Sequence, residues 1–260
     1  RWLKESPNGI DAEAPVQVFE MGSNRWLDLP AWPPETEMRS LWLQSDGLAC
    51  APDSSGHLVL QASANADGKT ANGTSANGKT MTFDTYVYDP RIANPVTPYG
   101  PYDQRAVHHR PDMLLYESEA LEGDWAIAGS PVLQLYAATT VPDTDWVVKL
   151  MQVDARGRAL LLTAGVLRAR FRQGVLQPEL LAADDIIQYQ ISLRPTCRLV
   201  PAGMRLQVAI ASGAFPWIDR NPNTGQWPAS ARFSDFQTAV QTVFHSPSHP
   251  SRINLPLRIR

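Results

Sequence analysis

The 260-residue chain carries 23 basic and 26 acidic residues, a net charge of −3, and 43% hydrophobic residues. Mild acidity argues against a nucleic-acid partner held through its phosphates, and the lack of any run of about 18 apolar residues excludes a membrane-spanning helix. The composition is that of a soluble globular protein of the cytoplasm or periplasm, long enough to bury a real core.

The opening residues, RWLKESPNG, show neither an initiator Met nor a signal-peptide pattern, as though cut from something longer. From there, short and often alternating apolar segments follow one another between 22 prolines, a pattern of strands. Val16 and Val18 of VQVFEM share one face, with Gln17 and Phe19 on the other. Strands are predicted at Ser40–Leu43, His57–Gln61, Thr82–Tyr88, Met113–Tyr116, Trp125–Ala128, Val132–Ala138, Trp146–Val153, Ala159–Phe171, Ile186–Leu193, Arg205–Ala211 and Ile253–Leu257. Turn residues Asp154–Gly157 between two apolar runs predict an antiparallel hairpin. Helix is expected at the amino end and in SDFQTAVQTVF, where Ser234 would cap a short helix turning Phe236, Ala239, Val240 and Val243 inward. The fold class is all-β: a sandwich or barrel with a few short helices.

No stretch offers complete catalytic or metal-binding machinery, and none suggests a cofactor. GTSANGKT, Gly73–Thr80, matches a phosphate-binding loop formally, but it lies in a low-complexity insertion, Asn65–Thr80, and a strand follows where a helix is needed. The GxSxG elbow of a serine hydrolase is absent. Cys50 and Cys197 have no metal-ligand spacing and are expected as free thiols. His108 and His109 point apart if extended, His245 and His249 are separated by proline, and all five histidines, His57 included, are expected in structural or surface roles. Asp143 and Asp145 in PDTDW would share a face; they are read as carboxylates accepting backbone N–H groups, with a calcium ion as the rival reading. Arg168, Arg170 and Arg172 in RARFR would line one solvated strand face.

Six motifs then occur in order: VQVFEMGSNRW, YVYDP, DQRAVHHRPDMLLYES, DTDWVVKLMQVDARGRALLLTAGVLRARFR, FPWIDRNPNTG and HPSRINLPL. Together they resemble the X-Pro dipeptidyl peptidase C-terminal domain, the sandwich that ends the cocaine esterase, glutaryl acylase and α-amino acid ester hydrolase group of serine hydrolases. The resemblance implies a jelly-roll-like, galactose-binding-domain-like β-sandwich over residues 15–260, with 1–14 the remnant of a hydrolase domain and its linker. The Ser-Asp-His triad would lie upstream, so the chain alone is expected to be inactive. Its implied partners are the α/β-hydrolase domain of the same polypeptide and a small ester, amide or peptide substrate at their junction. By the same resemblance Leu135 and Tyr136 would wall the substrate pocket, though alternation lets only one of them face it. Phe215, Trp217, Asp219 and Arg220 would form a structural corner and domain-contact loop. Two departures stand out: the long Asn65–Thr80 insertion, and His108 where the family often has an acidic residue.

A rival from another class is a free-standing carbohydrate-binding sandwich using Trp26, Trp32, Trp42, Trp217 and Trp227 as a platform. An excised accessory domain should instead expose an apolar patch where its neighbour sat, with self-association as a possible consequence.

Overall fold

The computed structural model describes residues 9–50, 56–60, 82–92, 100, 102–108 and 110–259. The Asn65–Thr80 insertion, His109 and the RWLK segment lie outside the described residues.

Sixteen strands occur among the described residues. In chain order they are β1 (Val16–Glu20), β2 (Arg25–Leu29), β3 (Thr36–Gln44), β4 (His57–Val59), β5 (Phe83–Tyr88), β6 (Met113–Ser118), β7 (Trp125–Gly129), β8 (Val132–Thr139), β9 (Asp145–Val153), β10 (Ala159–Arg168), β11 (Ile187–Ser192), β12 (Thr196–Val200), β13 (Arg205–Ala211), β14 (Ala239–Ser246), β15 (His249–Pro250) and β16 (Arg252–Arg258). One four-residue helix, α1 (Arg105–His108), and short 3-10 turns complete the described elements. No helix among the described residues is long and apolar enough to cross a membrane.

Fourteen strands join one hydrogen-bonded network, with β10-β9-β13-β6 at one end and β8, flanked by β11 and β14, towards the other. The network folds over so that the two ends face each other. Trp146 and Val148 of β9, Val208 of β13 and Tyr116 of β6 meet Leu133 and Leu135 of β8 and Tyr189 of β11 in one core. Trp146 and Tyr189 touch across it with ring centroids 5.6 Å apart. Strand alternation drives this closure, since Leu133, Leu135 and Ala137 point in while Val132, Gln134 and Tyr136 point out. The molecule is an all-β sandwich.

The predicted hairpin is present, with β9 and β10 antiparallel around Asp154–Gly157 and a register shift between Leu161 and Thr163. The predicted helix at 234–244 is not. A 3-10 turn, Phe233–Asp235, is followed by β14, which turns Ala239, Gln241 and Val243 inward and leaves Val240 exposed. A short apolar segment carries both periods at once, and pairing with β5 and β8 on either side decides for strand. The arginine stretch departs from expectation in a related way. β10 ends at Arg168 and a 3-10 turn follows, so the alternation stops and Arg170 turns inward.

The ribbon β1–β2 is a sheet of its own, outside the fourteen-stranded network. Its turn is seated against β12: Met21 N donates to Cys197 O at 3.0 Å and Leu199 N to Met21 O at 2.8 Å. Gly22, at φ 93°, approaches so closely that a Cβ there would meet Leu199 O.

Leu135 is fully buried and Tyr136 is not. Leu135→Ala should therefore cost about 2–5 kcal/mol, whereas Tyr136→Ala should cost less than about 1 kcal/mol; the two urea unfolding midpoints check this.

Candidate functional site

The loop after β13 is fixed by charge from beneath. Asn221, 1% exposed, donates from Nδ2 to Asp143 Oδ2 at 2.8 Å and to Asp145 Oδ1 at 2.9 Å. Arg168 forks onto Asp145 at 2.8 and 3.0 Å and also donates to Asp219 O. Arg170 reaches Asp143 Oδ2 through Nε at 2.8 Å and Gln226 O through Nη2 at 3.1 Å, while its backbone N–H serves Asp143 Oδ1. Two carboxylates and two guanidiniums are thus closed into one network with Asn221 between them. The oxygens once open to a cation are occupied by arginine and asparagine, and no metal-ligating group of three or more His, Cys, Asp or Glu occurs among the described residues.

Above this anchor lies an aromatic and cationic surface. Arg220 sits over Phe215 at 5.0 Å, with Phe236 and Phe233 at 5.5 and 5.8 Å, and it donates to Pro90 O. Phe215 is 38% exposed. Trp217 is half-buried with Arg194 5.1 Å over its ring. Tyr136, on the outer face of β8, accepts its neighbours differently: its hydroxyl donates to Gln188 Oε1 at 3.0 Å and its ring meets the His249 ring at 5.5 Å. The structure thus unites Phe215, Asp219 and Arg220 in one loop and separates Leu135 from Tyr136. Of the tryptophans, Trp42, Trp217 and Trp227 each carry a guanidinium over the ring.

A serine, a histidine and an aspartate do meet elsewhere. Ser45 Oγ donates to both oxygens of Asp84 at 2.6 and 2.7 Å, and His245 Nε2 approaches Asp84 Oδ2 at 3.1 Å. Tyr116 donates to the same carboxylate at 2.7 Å and Ala49 N–H at 3.0 Å. Burial alone would raise the Asp84 carboxyl, but the bonds from His245, Ser45 and Ala49 hold it below its ordinary value. A hydrolytic serine must pass its proton to imidazole, yet here the shorter bonds of Ser45 Oγ go to the Asp84 carboxylate, with His245 Nε2 further off at 3.4 Å. All are buried, so the cluster ties β5, β6 and β14 together.

Sequence reasoning missed two features. The joining of Asp143 and Asp145 to the arginines was hidden by a bulge: counting back from the turn at Asp154–Gly157 puts Leu167 opposite Asp145, and only the register shift between Leu161 and Thr163 brings Arg168 there. Lys149, in the middle of β9, gave no signal. It is 4% exposed, its Nζ donates to Gln104 Oε1 at 3.3 Å, and burial lowers it to about 8. Both cysteines are free, and burial pushes the Cys197 thiol up.

Three grooves open on the surface. One of about 730 Å³ is lined by Leu58, Trp125 and Leu257 with Glu122 and Arg39. A second, about 470 Å³, lies between the β1–β2 ribbon and the β10 and β12 strands, and a third of about 260 Å³ reaches from Gly165 to Trp217.

Residues 8–254 match the family of X-Pro dipeptidyl-peptidase C-terminal non-catalytic domains. The chain belongs to that family. It is 32% identical over 262 residues to cocaine esterase of a Rhodococcus species, covering 99% of this chain and 44% of that protein. Among solved structures, an α-amino acid ester hydrolase aligns at TM-score 0.79 and 30% identity over 94% of this chain and 41% of its own. An aminopeptidase from a marine-sediment thaumarchaeon aligns at TM-score 0.78 and 27% identity over 95% and 41%. The chain therefore spans under half the length of these relatives. It is the non-catalytic sandwich of a hydrolase family in which a larger unit shares the polypeptide.

Two outcomes follow from the buried charges. Asp143→Ala strands a guanidinium whose side chain is 4% exposed and should destabilise by roughly 3–5 kcal/mol, while replacing Asp143 and Arg170 together by apolar residues should cost less; chemical denaturation measures both. For Lys149, the folded amine titrates near 8 and the unfolded one near 10.5. Below both values each state holds the proton and the folded state carries the burial penalty, so stability should climb between them by on the order of 3 kcal/mol. Lys149→Met should abolish that climb in a pH series of unfolding curves.

Proposed function

We propose that this chain is the accessory sandwich of a serine hydrolase of the acyl esterase or X-Pro dipeptidyl peptidase type, packing on an α/β-hydrolase catalytic domain of the same polypeptide and helping to wall its substrate pocket. The observation that carries the reading is the Ser45–Asp84–His245 cluster in a chain matching under half of its hydrolase relatives. This Ser-His-Asp meeting is closed off from solvent, and its serine hydroxyl is turned to the Asp84 carboxylate at 2.6 and 2.7 Å rather than to His245 Nε2 at 3.4 Å. The nucleophile then belongs to another unit, and what this chain supplies is shape: a rigid surface that excludes water from a neighbouring site.

A small ester, amide or peptide would lie at the junction. Of the two wall residues, Tyr136 takes that role, because Leu135 is buried in the core. Phe215, Trp217, Asp219 and Arg220 act as a contact loop held from below by Asp143 and Asp145.

Labelling by a fluorophosphonate serine probe tests the division of labour. The chain alone should take no label, and the full polypeptide of its source should take one equivalent. Stoichiometric labelling of the chain alone, or none of the full polypeptide, overturns the reading.

A further inference from the structure

We infer that the catalytic domain docks on a specific strip of this sandwich: the β1–β2 ribbon, the groove between it and β10 and β12, and the adjoining groove that ends at Trp217. The inference rests on the accessory-domain reading above and adds to it the face used.

The ribbon is a two-stranded sheet of five-residue strands, too small to be stable in water by itself. Its backbone hydrogen bonds to β12 run through a seam at Met21, and Arg258 of β16 donates to Glu20 Oε1 at 2.8 Å. Phe19 and Trp26, cross-strand partners, meet edge to face at 5.6 Å and 66°. Despite that pairing, Trp26 is 70% exposed, Phe19 40% and the neighbouring Trp32 36%. Three large aromatics on one rim are an unusual exposure, and aromatic anchors of this kind mark the centres of protein interfaces.

Behind the rim, the groove of about 470 Å³ has an apolar floor that includes Leu161, Leu162 and Pro195, and the charged side chains among its lining are both arginines, Arg194 and Arg198. Arg194 also lines the groove of about 260 Å³ and stacks over Trp217. One strip therefore links the ribbon to the contact loop expected from the sequence. It suits an apolar partner surface edged by carboxylates.

The identity of the occupant follows from the family. The domain is C-terminal and non-catalytic, and more than half the length of the relatives lies outside the matched region. A C-terminal domain is preceded by the rest of its polypeptide, and β1 is the first strand among the described residues, so a unit tethered ahead of it would meet this strip at raised effective concentration.

Hydrogen exchange on this chain and on the full polypeptide of its source decides the matter. Amides of residues 16–29 and 192–198 should exchange at least about tenfold more slowly in the full polypeptide, with no change at the exposed Val87 and Val240. Trp26→Asp should erase that protection while leaving the thermal melting of the isolated chain unchanged, as its exposure requires. Protection confined to the Val87 and Val240 face, or to the groove at Trp125, overturns this inference and leaves the accessory-domain reading standing. Protection nowhere overturns both. Protection that grows with concentration of the isolated chain assigns the strip to a second copy and overturns the choice of partner.

Discussion

The buried pairing of Asp143 with Arg170 is the constraint on which the long loop after β13 depends. Both side chains are almost wholly removed from water, where an unpaired charge would cost several kcal/mol. Every other contact is arranged around satisfying them. Arg170 N–H and Nε close on Asp143 from the end of β10, and Asn221 closes on it from the far loop. Because Asn221 also binds Asp145, the loop cannot move without exposing two carboxylates at once. A fork of two planar guanidiniums against two carboxylates specifies one geometry where a greasy contact would tolerate several. The loop is long and polar, and this is what makes it rigid.

The same economy of buried polar groups explains why a Ser-His-Asp meeting does not make a hydrolase. At Ser45 the hydroxyl proton is committed to Asp84, which also receives Tyr116 and the Ala49 amide. An acceptor this heavily hydrogen-bonded stabilises charge where it stands, with the His245 imidazole among its partners. Catalysis needs a nucleophile at a solvent-open face; Ser45 and the groups around it are buried. Charge networks here fasten loops to strands, and the surfaces left over are aromatic.

Much of the sandwich was legible because alternation is a direct imprint of one buried and one exposed face. β8 shows this plainly, with Leu133, Leu135 and Ala137 inward. The turn at Asp154–Gly157 likewise announced its hairpin. Legibility failed where a period was too short to be unique, as in 239–246, where partners on both edges made a strand of an apparent helix. It failed again at RARFR, since nothing local says that the chain leaves the strand after Arg168. β2 and β12 escaped notice because RWLDL and TCRLV are brief and mixed in polarity. The aromatics of the loop at Phe215–Arg220 stood out in the sequence, but what fastens it lies some 50 to 80 residues away.

The contrast between the two sheets then has a physical meaning. The large network closes on itself and buries large aromatics, with Trp146 and Tyr189 packed at a tilt inside. The ribbon does the opposite, seating its turn so tightly on β12 that only glycine fits at position 22 while leaving Trp26 in water. A turn held that firmly fixes the ribbon's direction, so the exposed rings are presented in one orientation before any partner arrives. Preorganised aromatic surface lowers the entropy lost on association, and in a non-catalytic domain that is the useful property. On the reading proposed above, the sandwich would serve hydrolysis by being stiff and correctly shaped where another domain meets it.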